Sequence, residues 1–530
     1  MPADLLTRVA AWVDADPDPA ARTEVQSLLD AGALSELADR FLAPLAFGTA
    51  GLRGPLRAGP NGMNVAVVRR AAAGLAAYLD ANGCQGPVVV GYDARHGSTT
   101  FARDTAAVVR ATGRMALLLP RPLPTPVLAF CVRHLGAAAG VMVTASHNPP
   151  TDNGYKVYLS DGAQIVPPAD REIEAAIAAV GPAVQVPYDD SYEVLSEDVV
   201  ATYVDHVAAL VPAAAPHDLT IAYTPLHGVG WSVVEAAFAA AGFSPLQVVG
   251  RQREPDPDFP TVVFPNPEEP GATDLLLALS AAAGADLAVA NDPDADRCAV
   301  AVDGRLLTGD ELGVLLADHL MDRAAGTFAT TIVSSSLLGK MCRRHGVPYA
   351  ETLTGFKWIV RAAGQVAYGY EEALGYAVAP ALVRDKDGIS AALLIAQRAA
   401  ELKAAGATLL DRLDEIAREY GLHATGQLSL RVDDLSLISD AISRLRRQPP
   451  TSLLGRPVTS TEDLLPDADV VRLRADGVRV VVRPSGTEPK LKAYLEVVID
   501  VGTEPIQRVR ARAGEQLDRL RTEMGAALSG

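Results

Sequence analysis

The chain runs to 530 residues, 49% hydrophobic and 21% charged, with 64 acidic against 47 basic side chains and a formal net charge of −17. That length suits three or four domains with sizeable cores. The balance excludes disorder, collagen, coiled coil and a nucleic-acid-coating protein, whose affinity would need a basic surface. Only Lys156, Lys340, Lys357, Lys386, Lys403, Lys490 and Lys492 are lysines; in so Arg-biased a chain, a Lys flags a position that needs something Arg cannot supply.

The opening segment, MPADLLTRVAAWVDADPDPAARTEV, mixes charges early and lacks the apolar core of a signal peptide. Cys84, Cys131, Cys298 and Cys342 lie far apart, without a CxxC pair or metal-like spacing to His, as in a reduced, cytoplasmic protein. Apolar runs such as 275–285 stop short of the ~20 residues that cross a bilayer, so no membrane partner is expected.

In chain order, Gly48 to Gly54 (GTAGLRG) reads as a Gly-rich turn carrying Arg53, ahead of a helix at 65–80. Residues 87–111 pass from a β-branched strand through a polar turn into an amphipathic helix, and 114–135 and 137–148 repeat the pattern. A second set begins at 219 and continues through a helix at 272–284 into a strand at 287–292; a third begins at 329. Such alternation predicts α/β units with largely parallel sheets, whose ligands sit beyond the carboxyl ends of the strands. The Pro/Glu/Asp-rich stretch 253–271 is long for a connector, and is either functional or a surface loop. The last hundred residues predict an antiparallel α+β module: strands at 426–432 and in VRLRAD, GVRVVVRPSG and LKAYLEVVID, a helix at 436–447 and a long helix from 503.

Several of the turns carry chemistry. Thr144-Ala145-Ser146-His147-Asn148-Pro149-Pro150 follows an apolar run, so Ser146 reads as a nucleophile beside His147 or as ordinary turn chemistry; no GxSxG elbow decides between them. Lys156 reads as a general acid/base if its surroundings bring its pKa from ~10.4 towards ~7–8, or as an edge-strand lysine that discourages pairing. In Asn291-Asp292-Pro293-Asp294-Ala295-Asp296-Arg297, the three aspartates share one face of an extended segment. Their repulsion in a buried site calls for a hard divalent ion, Mg²⁺ or Ca²⁺; the competing reading is an acidic surface turn. An EF-hand is excluded, because Arg297 takes the position that needs Gly and no Glu closes the loop.

Further along, GFKW and RDKDG place Lys357 and Lys386 in turns, and GYEEALGY offers Glu371 and Glu372 as acceptors for sugar hydroxyls, or as a solvated turn. Arg483-Pro484-Ser485-Gly486-Thr487-Glu488-Pro489-Lys490 combines a guanidinium fork, two hydroxyls, an ammonium and a glycine that lets backbone N–H groups converge. It reads as a phosphate nest or as a structural hairpin loop. Taken together, these features point to phosphoryl transfer on a sugar phosphate, with a metal beside a phosphorylated Ser.

On the TASHNPP, DPDADR, GYEEALGY and RPSGTEPK segments, in that order, the chain resembles the α-D-phosphohexomutase superfamily of phosphoglucomutases and phosphomannomutases. GFKW and YEEALGY resemble its longer phosphoglucomutase and phosphopentomutase-like branch. The resemblance implies an α/β molecule of four domains: three similar α/β units with mixed, largely parallel sheets, then a mobile C-terminal α+β domain. The limits expected are 1–200, 201–308, 309–425 and 426–530.

It implies Ser146 as the phosphoserine and, with Asp292, Asp294 and Asp296, as a Mg²⁺ ligand. Lys156 and His147 would handle protons, and Arg297 would contact the phosphoserine region or substrate. Arg53, Lys357, Lys386, Arg483, Ser485, Gly486 and Thr487 would bind substrate phosphate or stabilise transferring charge, and Glu371 and Glu372 would bind the sugar. The implied reaction interconverts glucose 1-phosphate and glucose 6-phosphate through a sugar 1,6-bisphosphate, which also serves as activator. The implied partner is a small phosphosugar, and the implied state a monomer or small homo-oligomer. Ala373 stands where many members carry Ser and Tyr376 where His is frequent, which leaves glucose, mannose or pentose open. A metal-dependent sugar phosphatase and a catalytically dead sensor are the competing readings.

Overall fold

The valine-rich and alanine-rich runs form central strands because helices cover both sheet faces, so no polar side need alternate with the apolar one. The computed structural model describes residues 2–431, 435–484 and 490–529. The chain divides into two units, Met1–Leu307 with Leu374–Glu401 and Thr308–Ala373 with Leu402–Gly530. Among the described residues, no helix is long and apolar enough to cross a membrane.

The first unit opens with three helices, Pro2–Ala15, Pro19–Asp30 and Leu34–Phe41, around a small core of Leu5, Val9, Val25, Leu37 and Phe41. A six-stranded sheet follows, built from β1 (Leu52–Pro55), β2 (Val88–Tyr92), β3 (Ala116–Leu118), β4 (Ala139–Val143), β5 (Asp152–Leu159) and β6 (Glu193–Val194) in the order β1-β5-β4-β2-β3-β6. β4, β2, β3 and β6 run parallel, while β5 is antiparallel to both β4 and β1. This departs from the expectation at 137–148: β4 leads not into a helix but back into β5. It also overturns the edge-strand reading of Lys156, because β5 lies between two partners. Alternation along β5 sends Tyr155 and Val157 into the core with Val90 and Val141, and Lys156 and Tyr158 to the opposite face.

The second sheet comprises β7 (Ile221–Thr224), β8 (Gln247–Val248), β9 (Leu287–Ala290), β10 (Ala299–Val302) and β11 (Arg305–Leu306), ordered β11-β10-β9-β7-β8. β8, β7 and β9 are parallel, and β10 and β11 continue antiparallel. The loop between β9 and β10 therefore leaves the carboxyl end of a central strand, where α/β sheets bind their ligands.

In the second unit, β12 (Thr327–Thr331) pairs in parallel with β13 (Tyr349–Thr352) and β14 (Val366–Glu371). Helix Gly309–Leu320 begins with a capping box between Thr308 and Glu311. The C-terminal part is an antiparallel sheet in the order 422–431, 490–499, 478–484, 471–475, 456–463, 452–453. Helices Leu435–Arg447 and Ile506–Ser529 cover it, through a core that includes Ile442, Leu473, Val480, Leu495 and Leu520.

Candidate active site

Three residues beyond β4 the chain reverses towards β5, and Ser146 lies in that reversal with φ of 53°, a left-handed conformation uncommon outside glycine. The residue is 4% exposed. Its N–H donates to Thr144 Oγ1 at 2.8 Å, and its hydroxyl donates to Asp292 Oδ2 at 2.8 Å, with His147 Nδ1 3.1 Å from Ser146 Oγ. Arg53, on β1 opposite Gly154, donates from Nη1 to Asn148 Oδ1 at 3.2 Å. The two strands can approach only because Gly51 has no side chain: at φ 76°, a Cβ there would lie 1.8 Å from the Tyr155 carbonyl oxygen.

The aspartate loop leaves β9 directly, and Asp292, Asp294 and Asp296 are fully buried, so the surface-turn reading fails. Lys156 Nζ bridges two of them, donating to Asp294 Oδ2 at 2.7 Å and Asp296 Oδ2 at 2.9 Å. Lys386 Nζ lies 3.3 Å from Asp296 Oδ2. The Arg297 N–H donates to Asp292 Oδ1 at 3.0 Å, and Arg297 Nη1 to Glu268 Oε2 at 3.3 Å. The RDKDG turn reaches this loop because Gly388 is bare on that side; a Cβ would stand 2.2 Å from the Arg297 carbonyl oxygen.

Burial and repulsion from Asp294 and Asp296 hold Asp292 well above the ordinary carboxylate range. Burial also works against charge on Asp294 and Asp296, but Lys156, joined by Thr125 at Asp294 and by Lys386 and Arg297 at Asp296, more than offsets it and both lie below their usual value. Reciprocally, burial disfavours charge on Lys156, and its two carboxylates overcome this and raise its pKa. The lowered lysine pKa anticipated from sequence is therefore not what these surroundings produce: Lys156 is a held cation. His147 is the opposite case, pushed well below its ordinary value by burial and by Arg297 and Arg53, and neutral at pH 7.

The loop also suits a metal. One carboxylate oxygen from each aspartate can be chosen so that all three lie within 4.8 Å of one another. Asp294 Oδ1 and Asp296 Oδ1 are buried with no hydrogen-bond partner. All-oxygen donors left unsatisfied in a buried site are the chemistry of a hard divalent ion.

The first unit thus gathers Ser146, His147, Arg53, Lys156, the three aspartates, Arg297 and Lys386. Lys357, Glu371, Glu372 and Arg483 belong to the second unit, with Lys357 in the short helix Phe356–Ile359 and Glu371 ending β14. There Glu372 Oε2 accepts from Ser334 Oγ at 2.8 Å and Thr331 Oγ1 at 3.2 Å. Burial and the neighbouring Glu371 push its pKa up to about 7. Burial and Glu372 likewise raise the Tyr494 phenol, against the opposing effect of Arg483. Ser485, Gly486 and Thr487 lie outside the described residues.

The structure adds partners that sequence reasoning did not single out. Thr125 donates from its hydroxyl to Asp294 Oδ2 at 2.6 Å and from its N–H to the Asp294 carbonyl at 2.9 Å. Asp385 Oδ2 accepts from Tyr158 and Gln164, each at 2.7 Å. Arg95 is enclosed beside the Ser146 loop. Thr125 carries no local signal, whereas Arg95 stands in a turn shortly after the apolar strand β2 and Asp385 in the polar turn just before helix Gly388–Ala404.

Family models described as phosphoglucomutase/phosphomannomutase match in four blocks: α/β/α domain I at 44–183, domain II at 201–305, domain III at 308–420 and the C-terminal domain at 460–501. A probable phosphomannomutase of Haemophilus influenzae is 45% identical over 82% of this chain and 93% of its own length. A phosphoglucomutase of Staphylococcus aureus is 33% identical over 90% of this chain and 94% of its own. Among solved structures, a putative phosphomannomutase from Thermus thermophilus superposes with a TM-score of 0.72 at 27% identity, covering 90% of this chain and 99% of that one.

Proposed function

We propose a reaction course from the premise that the chain belongs to the phosphoglucomutase/phosphomannomutase family and is a sugar-phosphate mutase, an isomerase that transfers phosphate within its substrate. In this course Ser146 carries the phosphoryl group and passes it to the free hydroxyl of glucose 1-phosphate, giving glucose 1,6-bisphosphate. The intermediate turns over, its other phosphate returns to Ser146 Oγ, and glucose 6-phosphate leaves. The observation that carries this reading is the buried Ser146 hydroxyl, 2.8 Å from Asp292 and backed by Lys156 and the other two aspartates.

The chain's own groups divide the work. Arg53, Arg297 and Lys386 place positive charge around the Ser146 loop, where a dianionic phosphoryl group would need it. Of the two groups read as handling protons, His147 is neutral at pH 7 with Nδ1 3.1 Å from Ser146 Oγ, while Lys156 is held as a cation by Asp294 and Asp296 and would give up its proton only as those contacts loosen. Lys357, Glu371, Glu372, Arg483, Ser485, Gly486 and Thr487 form the substrate-binding set of this reading, and 1–200, 201–308, 309–425 and 426–530 its domain limits. Asp292, Asp294 and Asp296, with an oxygen on Ser146, would hold Mg²⁺, which supplies charge neutralisation at the transferring phosphate. The substrate partner is a small phosphosugar, with a sugar 1,6-bisphosphate as activator. A cytoplasmic location belongs to the same reading, supported by four cysteines that are all unpaired.

The sugar is the open choice: one relative is named for mannose and another for glucose, and Ala373 and Tyr376 leave the sugar loop without two familiar polar groups. A coupled assay over glucose, mannose, glucosamine, ribose and deoxyribose 1-phosphates, with bisphosphate activator, decides it; preference for glucose is expected. Purified wild type should weigh about 80 Da more than its sequence, as one phosphate requires. Ser146→Ala should lose that mass and activity by on the order of 10⁴-fold or more. Activity surviving in Ser146→Ala, or inorganic phosphate released as fast as isomer forms, would overturn the course.

A further inference from the structure

The long 253–271 segment and the fully enclosed Arg95 are unused by that course, and they touch each other. Arg95 follows β2 in the turn Asp93-Ala94-Arg95, and its side chain is 1% exposed. A guanidinium removed from water is costly unless most of its N–H groups are bonded. Arg95 directs them into a single loop. Nη2 donates to the Ser146 and Asn148 carbonyls, both at 2.6 Å, and Nη1 to the Pro149 carbonyl at 2.8 Å and the Asp152 carbonyl at 3.3 Å. Those four acceptors span the reversal that holds Ser146 at positive φ.

The fork is itself fixed from two sides. Asp93 Oδ2 stands 3.4 Å from Arg95 Nε, and Asp93 Oδ1 accepts from the Arg95 N–H at 3.0 Å and Ser98 Oγ at 2.5 Å. The Phe259 ring lies against the guanidinium, 4.9 Å from its central carbon, in cation–π contact. Phe259 is 2% exposed and held at φ 46°. Its segment is tied down by the Asp256 N–H donating to the His227 carbonyl at 3.0 Å, by Thr261 Oγ1, which accepts from Gln252 Nε2 and bonds His227 Nε2 at 2.8 Å each, and by His96 Nε2 with Asp258 Oδ1 at 2.7 Å.

We propose that Arg95, clamped by Asp93 and by Phe259 of the 253–271 segment, is the positioning residue that sets the Ser146 loop for phosphoryl transfer. It touches no reacting atom; it aims the Ser146 hydroxyl at Asp292 by gripping the main chain around it. A lysine cannot replace it, since one ammonium cannot reach four carbonyls spread along a loop as a planar fork does. The proposal rests on Ser146 as the phosphorylated residue.

The test compares Arg95→Lys and Phe259→Leu with wild type, counting active enzyme by its phosphoserine mass and measuring kcat and KM separately. Arg95→Lys should lose kcat by about 10²-fold with KM within about twofold, the signature of a misplaced reacting group. Phe259→Leu, which fills much of the same space without the ring face, should lose kcat about fivefold with KM unchanged, in line with one cation–π contact. Wild-type kcat per phosphorylated site in Arg95→Lys, with only thermal stability reduced, would show a merely structural role and overturn the proposal. Should Arg95→Lys not fold, Phe259→Leu decides: a kcat loss at constant KM supports the clamp, and unchanged kcat refutes it. Failure of the Ser146 reading would appear elsewhere, as wild type without the added phosphate mass, and would remove the proposal with it.

Discussion

Two carboxylate sites, one in each unit, are both desolvated, fully at the aspartates and in part at Glu372, and they answer it in opposite ways. Asp294 and Asp296 have Lys156 between them and are held ionised, below their usual range. Glu372 has neutral donors, the Ser334 and Thr331 hydroxyls and a backbone N–H, beside a second acid, and it is pushed up to about 7. Burial alone therefore does not decide the charge of an acid; an ammonium within hydrogen-bonding distance does. In the first site Asp294 and Asp296 keep their charge, although Asp292 beside them does not share Lys156 and lies well above the ordinary range; in the second, the charge of Glu372 changes near neutrality.

The strongest way to break that contrast is Lys156→Met, which removes the one ammonium that bridges Asp294 and Asp296 and leaves Lys386 beside Asp296 alone. A loss of about 3–5 kcal/mol is expected in urea denaturation, and a loss below ~1 kcal/mol would mean the lysine is not what keeps them charged. Next comes the metal: at a hundred times its Kd, Mg²⁺ should add about 2.7 kcal/mol to wild-type stability by mass action. Asp294→Asn should lose most of that gain, and chelation should remove activity; a gain undiminished in Asp294→Asn would place the ion elsewhere. The smallest effect belongs to Glu372. Its folded pKa lies above the ordinary 4.5, so the stability linked to it is complete below about pH 4.5 and is lost as pH climbs through about 7. Glu372→Gln, which cannot ionise, should gain on wild type between about pH 5 and 8. Parallel stability curves across that range would erase the contrast between the two sites.

What could be read from the chain was what neighbours in sequence impose. The strand and helix patterns of 87–111 and 329–345 appear as β2 with helix Ser98–Ala111 and β12 with helix Leu337–His345, because period and turn chemistry are local. The three aspartates were legible for the same reason, since alternate acids after an apolar strand are a short-range pattern. The order β1-β5-β4 was not, because strand pairing is settled between distant segments, and Lys156 on a central strand looks in sequence like Lys156 on an edge. Its charge state was hidden likewise: the acids that hold its proton lie about 140 residues away. Arg95 could be noticed as a charge in the turn after β2, but its role could not be read, because its partners are backbone carbonyls about fifty residues away.

The left-handed backbone at Ser146 has a consequence for which alcohol can stand there. Threonine is as competent a phosphate acceptor in solution, but its branched Cβ is poorly tolerated at positive φ. Replacing one alcohol by the other would keep the functional group and forfeit the fold around it, so at this position the main chain discriminates between two side chains that chemistry alone treats as equals.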